Sequence, residues 1–449
     1  MTMTRRRFVQ GLSATAGAAA LGLPGCAPGN RPIEPAVPRP QKPILVVVFL
    51  DGGNDWLNML PPTAGANRTV YEAQRPTLRL GSADLVEIGA GLGLHTAFTG
   101  MSLLSDRGRV AWIPGIGMNN PNLSHFVSAD IWGRGSANPD GTGWLGRYAD
   151  AAFAPTGDVL RGITVTGELP VMLRGRQRSF VSVGGGSGFT YPTRLRGGRL
   201  GAPWDADLLE AGFGAAVTAA DPAGRPGYAQ AAAAGKAFLD ATNHPAFGAD
   251  GTLEPRTPAV PYPGDQAYPV RRLDGGALSG GLSRQLKLIA QLLASGVEAE
   301  LFFARLGGWD THANQAVDHV NLMRSLGGAI SAFYDDLSTV QTAAGNAQDR
   351  TMLLGWSEFG RRVQQNQNGT DHGTAGLVFC VGRGVKGGFH GAYPDLADLD
   401  GNGNMRFTVD YRRVYATVLE RWLGLPAAAT DALLLQGGTV DSLARLEFI

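Results

Sequence analysis

The chain has 449 residues, 44% hydrophobic and 17% charged, and its 39 basic against 38 acidic side chains leave a net charge of +1. That balance gives no electrostatic basis for binding nucleic acid, and no apolar run beyond the first 26 residues approaches the about 20 needed to cross a membrane. The 65 glycines, separated by strong apolar runs, mark tight turns and close backbone approaches rather than disorder, and no fixed-period repeat is present.

Residues 1–26 read as an export signal. Arg5 and Arg6 precede Phe8, and Gly11 to Gly25 is apolar, small and uncharged. The arginine pair points to the twin-arginine route and an extracytoplasmic, periplasmic location. Cys26 follows "LGLPG", which fits either a lipidation cysteine, and hence a membrane tether, or an unmodified residue. Residues 27–43, "APGNRPIEPAVPRPQKP", form a proline-rich tether.

Residues 44–449 then alternate strand and helix. "ILVVVFL" (Ile44 to Leu50) is short, continuous and β-branched, as expected of a strand buried on both faces. "RVAWIPG", "VEAELFFARL", "RTMLLGW" and "LVFCVG" follow the same pattern. Leu282, Leu286, Ile289 and Leu293 recur at helical spacing before Gly296, and "DYRRVYATVLERWLG" predicts a second helix. The expected fold is α/β, a mostly parallel central sheet with helices on both faces. The Gly-, Ala- and Pro-rich stretch around 152–280 reads as an inserted cap. Cys380 lies inside an apolar run and is expected to be a buried, inert thiol. "DLDGNGN" opens like a calcium loop, but Val409 stands where the closing acid belongs, so a plain turn is expected.

Polar residues cluster just beyond the strands. Asp51 follows the first, Asp310 and His312 another, and Glu358 a third, followed by Asp371 and His372 in "GTDHG". Ligands gather outside the carboxyl ends of strands in open α/β sheets. Like charges converging there repel unless a cation or proton neutralises them.

"FLDGGND", "SHFVSADIW", "GWLGR", "DTHANQ", "SEFGRRVQQNQNGTDHGTAGLVF" and "GRGVKGG", in this order, resemble the exported bacterial family named domain of unknown function 1501. More loosely, the pattern resembles the alkaline phosphatase and sulfatase superfamily. The wider resemblance implies an alkaline-phosphatase-like fold, with Asp51 as a metal ligand and Ser124 as a nucleophile. Ser124 equally fits a helix N-cap. His125 would be a substrate contact or proton donor. Asp310, His312 and His372 would hold a Zn²⁺ or Mn²⁺ ion. Glu358 and Phe359 stand where the superfamily has an Asp-His pair. Either Asp371 and His372 fold back to supply the missing ligand, or Asp51, Glu358 and Ser124 form an oxygen-rich site suited to Mg²⁺ or Ca²⁺. The implied activity is metal-dependent hydrolysis of a small or polymeric anionic ester. Phosphate ranks above sulfate, because no short motif with a modifiable cysteine or serine is present. The alternative is a non-catalytic binding or assembly protein that keeps the fold.

Overall fold

The computed structural model describes residues 38–135, 141–154, 159–176, 178, 180–183, 245–246, 253, 255–263, 281–435 and 443–449. Arg5, Arg6, Cys26 and most of the expected cap lie outside the described residues.

The strands in chain order are β1 (Ile44–Asp51), β2 (Leu85–Gly89), β3 (Leu92–His95), β4 (Val110–Gly117), β5 (Gly162–Thr164), β6 (Val181–Ser182), β7 (Leu301–Gly307) and β8 (Gln341–Thr342). They continue with β9 (Gly345–Asn346), β10 (Thr351–Trp356), β11 (Arg361–Gln365), β12 (Thr370–His372), β13 (Gly376–Gly382), β14 (Gly388–Phe389) and β15 (Val409–Asp410). The central sheet has the order β14-β4-β13-β10-β1-β7-β5-β6, with β15 also paired to β4. β1 lies parallel between β7 and β10, and β5 pairs parallel with β6 and β7. Only β13 runs against its neighbours β10 and β4 among the described pairs of this sheet. The chain leaves β10 and returns to β13 through the hairpin β11–β12, with no helical crossover, and a strand that re-enters from the edge where its predecessor left must be antiparallel.

The helices are α1 (Gly65–Gln74), α2 (Thr99–Asp106), α3 (His125–Arg134), α4 (Trp144–Ala152), α5 (Leu282–Ala294), α6 (Gln315–Leu337), α7 (Ala347–Arg350), α8 (Tyr411–Thr417) and α9 (Ala427–Leu434). β1 explains the two-sided burial. Ile44, Val46, Val48 and Leu50 enter one core with side chains of α2, α5 and α6, whereas Leu45, Val47 and Phe49 enter another with those of α4, α8 and α9. Burying each such side chain contributes about 1.5–3 kcal/mol. The mostly parallel, doubly covered sheet is the one expected. No helix among the described residues is long and apolar enough to cross a membrane.

Details depart from expectation in informative ways. The helix expected across "DYRRVYATVLERWLG" starts as α8 and passes into a π-helical turn at Val418–Trp422. β5 and β6, inside the span expected to be a cap, are strands at the edge of the main sheet. The tether's end is docked. Arg39 Nε donates to the Trp422 carbonyl at 2.9 Å, and Lys42 pairs with Glu298 at 2.6 Å. "DLDGNGN" is a turn in which Asp400 Oδ1 accepts from Asn402 N (2.9 Å) and Asn404 N (2.8 Å). Cys380 is buried in β13, and burial pushes its thiol well up.

Candidate metal centre

The rim above the carboxyl ends of β1, β7 and β10 brings together segments that are far apart in sequence. Two glycines make this possible. Gly52 has φ +127° and Gly53 φ +71°, and a Cβ on Gly52 would stand 2.4 Å from Asp310 N, one on Gly53 2.2 Å from the Phe359 ring. Only glycine fits both the backbone and the space. Gly52 N in turn donates to Glu358 Oε1 at 2.9 Å, tying the β1 and β10 loops together.

Three imidazoles converge on Asp310. His312 Nε2 lies 3.1 Å from Asp310 Oδ1, His372 Nε2 3.2 Å from the same oxygen, and His125 Nε2 3.5 Å from Oδ2. The Nε2 atoms of His312 and His372 are 2.9 Å apart. The other nitrogen of each ring faces an oxygen. His125 Nδ1 is 2.7 Å from Glu358 Oε1, His312 Nδ1 3.2 Å from Asp371 Oδ1, and His372 Nδ1 2.9 Å from the Leu123 carbonyl. In the neutral rings, a proton on each Nδ1 satisfies these acceptors and leaves each Nε2 with a lone pair toward the centre, and His125 must shed its second proton to reach that form. Histidines that ligate metals are commonly held in this way, one nitrogen on an oxygen acceptor and the other on the ion.

Charge around the group is unevenly matched. The carboxylates of Asp310 and Glu358 push His125 up to about 9. Burial alone would raise Asp310, but the facing imidazoles of His125 and His372 and the Arg361 guanidinium hold it far below the usual carboxylate range. Asn366, then His312, hold Asp371 low. Arg361 is fully buried beneath the site and donates to Asp310 Oδ1 (2.6 Å), the Gly53 carbonyl (2.6 Å) and the Thr370 carbonyl (2.7 Å). Nothing in "EFGRR" distinguishes this buried arginine from Arg362, so it escaped sequence reading.

The candidates named from sequence therefore separate. Asp310, His312, Asp371 and His372 come together, and His125, expected as a substrate contact, joins them. Glu358 stands behind His125 as an acceptor. Asp51 feels the charges of Glu358 and His125 but is not among the clustered ligand atoms of His125, Asp310 and His372. It is bonded to Arg305, and burial raises its pKa despite that partner. Ser124 is exposed at the start of α3 and makes no side-chain cap. Phe359 packs its ring 4.7 Å from His372 and 5.0 Å from His125, an apolar floor under both imidazoles. Trp309 and Trp356 are core residues, the latter stacked on Phe49 at 4.5 Å. His95 is buried in the β2–β3 hairpin, and His390 bonds the Lys386 carbonyl.

The donor set fits a divalent cation. One ligand atom each from His125, Asp310 and His372 lies within 4.8 Å of the others. Among the described residues His125 Nε2 is buried without a hydrogen-bond partner, although it faces the Asp310 carboxylate. Imidazole nitrogens with one carboxylate oxygen suit Zn²⁺ and neighbouring transition metals.

Residues 284–434 match the model of a family described as protein of unknown function (DUF1501). This segment carries β7, α6, β10 and the β11–β12 hairpin, and with them Asp310, His312, Glu358, Asp371 and His372. A solved structure of a protein in the alkaline phosphatase superfamily from Vibrio parahaemolyticus aligns over 86% of this chain and 68% of that chain, at 8% identity and a TM-score of 0.34. No curated protein matches the chain.

Proposed function

We propose that the rim holds one divalent transition-metal ion, Zn²⁺ or Mn²⁺, ligated by His125, Asp310 and His372 with His312 alongside, and that the protein is a metal-dependent hydrolase of an anionic ester. The observation that carries this reading is the common orientation of the three imidazoles, each Nδ1 on an oxygen and each Nε2 toward Asp310. Such an ion supplies Lewis-acid polarisation of a carbonyl or phosphoryl oxygen. Arg361 and Glu358 hold Asp310 and His125 in place. Ser124 immediately precedes His125, and its hydroxyl, uncommitted to capping, is available to attack. Phosphate-type esters remain preferred over sulfate for want of a modifiable-residue motif.

A single ion is proposed rather than two, because Arg305 already neutralises Asp51 and Phe359 fills the place of a further ligand. The same two features favour the rival reading, a binding or assembly protein with the fold retained. Metal analysis of purified protein, followed by assay on phosphomono- and phosphodiesters, separates the two. About one ion per chain, turnover that His372→Ala and Ser124→Ala both abolish, and loss of the ion only in His372→Ala are expected. Bound metal without turnover on any ester leaves the binding protein, and absence of metal overturns the site.

A further inference from the structure

Behind the histidine group lies a second polar layer that is sealed from solvent. Thr311, Gln315, Thr370, Asp55 and Arg75 are each at most 2% exposed. Thr311 sits between Asp310 and His312, and Thr370 directly precedes Asp371. Both hydroxyls donate to one atom, Gln315 Oε1, at 3.2 Å from Thr311 and 2.7 Å from Thr370. Gln315 Nε2 donates to Asp55 Oδ2. Asp55 is an acceptor only, so the amide nitrogen must face it and the amide oxygen must face the hydroxyls. Arg75 fixes Asp55 through two bonds, at 2.6 and 2.8 Å, and extends to the carbonyls of Arg362 and Val363, both 2.9 Å away, on β11. Gln315 itself is the first residue of the 23-residue helix α6.

We infer that Gln315 is a positioning residue, a clamp that sets the spacing between the Asp310–His312 loop and the Asp371–His372 strand so that their Nε2 and carboxylate atoms meet at one point. This rests on the metal reading above. No other side chain among the described residues bonds both Thr311 and Thr370. A buried carboxylate–arginine pair anchors the clamp, so moving it leaves charge uncompensated, and the geometry is rigid rather than adaptable. A clamp also differs from a packing residue in what it controls: the relative placement of ligands, which a spectroscopic probe reads separately from stability.

The probe is Co²⁺ titrated into metal-free full-length protein, with its visible absorption band recording ligand geometry. Gln315→Met keeps volume and removes every polar bond, and a 10- to 100-fold rise in the Co²⁺ dissociation constant with a weakened or shifted band is expected. The double variant Thr311→Val/Thr370→Val keeps Gln315 and Asp55 paired, so it stays informative where Gln315→Met fails to fold, and the same direction of change is expected. Tyr71→Phe is the comparison. Tyr71 bonds Asn58 Oδ1 at 2.8 Å on the far side of Arg75, so the variant should lose thermal stability yet keep the Co²⁺ affinity and band. Wild-type affinity and spectrum in the folded clamp variants overturn the inference, as does equal weakening in Tyr71→Phe. A wild-type protein that binds no Co²⁺ overturns the metal reading itself, and the clamp with it.

Discussion

His125 is held by Glu358 on one nitrogen and turned to Asp310 on the other, so each acceptor behind the ring is as consequential as the ring. Glu358→Gln and Asp371→Asn should each lower metal affinity about 10- to 100-fold by loosening His125 and His312. His390→Ala, whose ring bonds the Lys386 carbonyl away from the group, should leave affinity unchanged. Inductively coupled plasma analysis of dialysed protein checks all three. Two other histidines set the acid limit of stability. Burial pushes His95 and His319 down to about 4, and His95 Nδ1 accepts the Ala97 N–H, a bond that protonation would break. Folded pKa values below the unfolded value near about 6.5 mean that the unfolded chain binds more protons between about 4 and 6.5. The contribution of these two groups is therefore complete above that window and falls as pH drops through it, by about 2 kcal/mol per group at pH 5. Urea melts at pH 7 and 5 should show that loss in the wild type and a smaller one in His95→Gln.

At the scale of elements, the turn after β1 and the excursion from Ser357 to Ala375 form the site between them. Gly53→Ala forces a Cβ into the Phe359 ring from a left-handed backbone and should cost about 2–5 kcal/mol. Gly401→Ala meets nothing and should stay within about 0.5 kcal/mol by thermal denaturation. Sequence alone revealed the strands well, because a short β-branched run such as "ILVVVFL" suits a strand buried on both faces. It also singled out Asp310, His312 and His372, which the fold brings side by side, because polar residues past the ends of buried strands have few packing reasons to be there. It did not reveal the orientation of β13, since an apolar run reads alike in both directions. Nor did it reveal Arg361 or Gln315. A buried polar side chain is recognisable only through its partners, and Arg361 finds one of these 309 residues away at Gly52. Asp51 matched a ligand position in type, but Arg305, one strand over, could not be foreseen as its partner.

For the molecule as a whole, we hold to export by the twin-arginine route as a proposal about residues outside the described structure. Arg5→Lys/Arg6→Lys should retain the chain in the cytoplasm, as fractionation and immunoblotting would show, and unchanged export would refute it. The placement of β1 has a kinetic consequence. Its two partners lie far along the chain, with Leu45 beside Leu301 and Ile44 beside Thr351, so the strand nearest the N-terminus is locked only once β7 and β10 are in place. Such non-local pairing is slow, because loop closure precedes any reward in contacts. The Gly52–Glu358 bond, 306 residues apart in sequence, adjoins β1 and waits on the same event, and the Leu123–His372 bond closes a second long span of 249 residues. Chelating ability should thus be the final property acquired during refolding. A metallochromic dye competing for the ion would time the insertion of β1, lagging behind the recovery of helical circular dichroism.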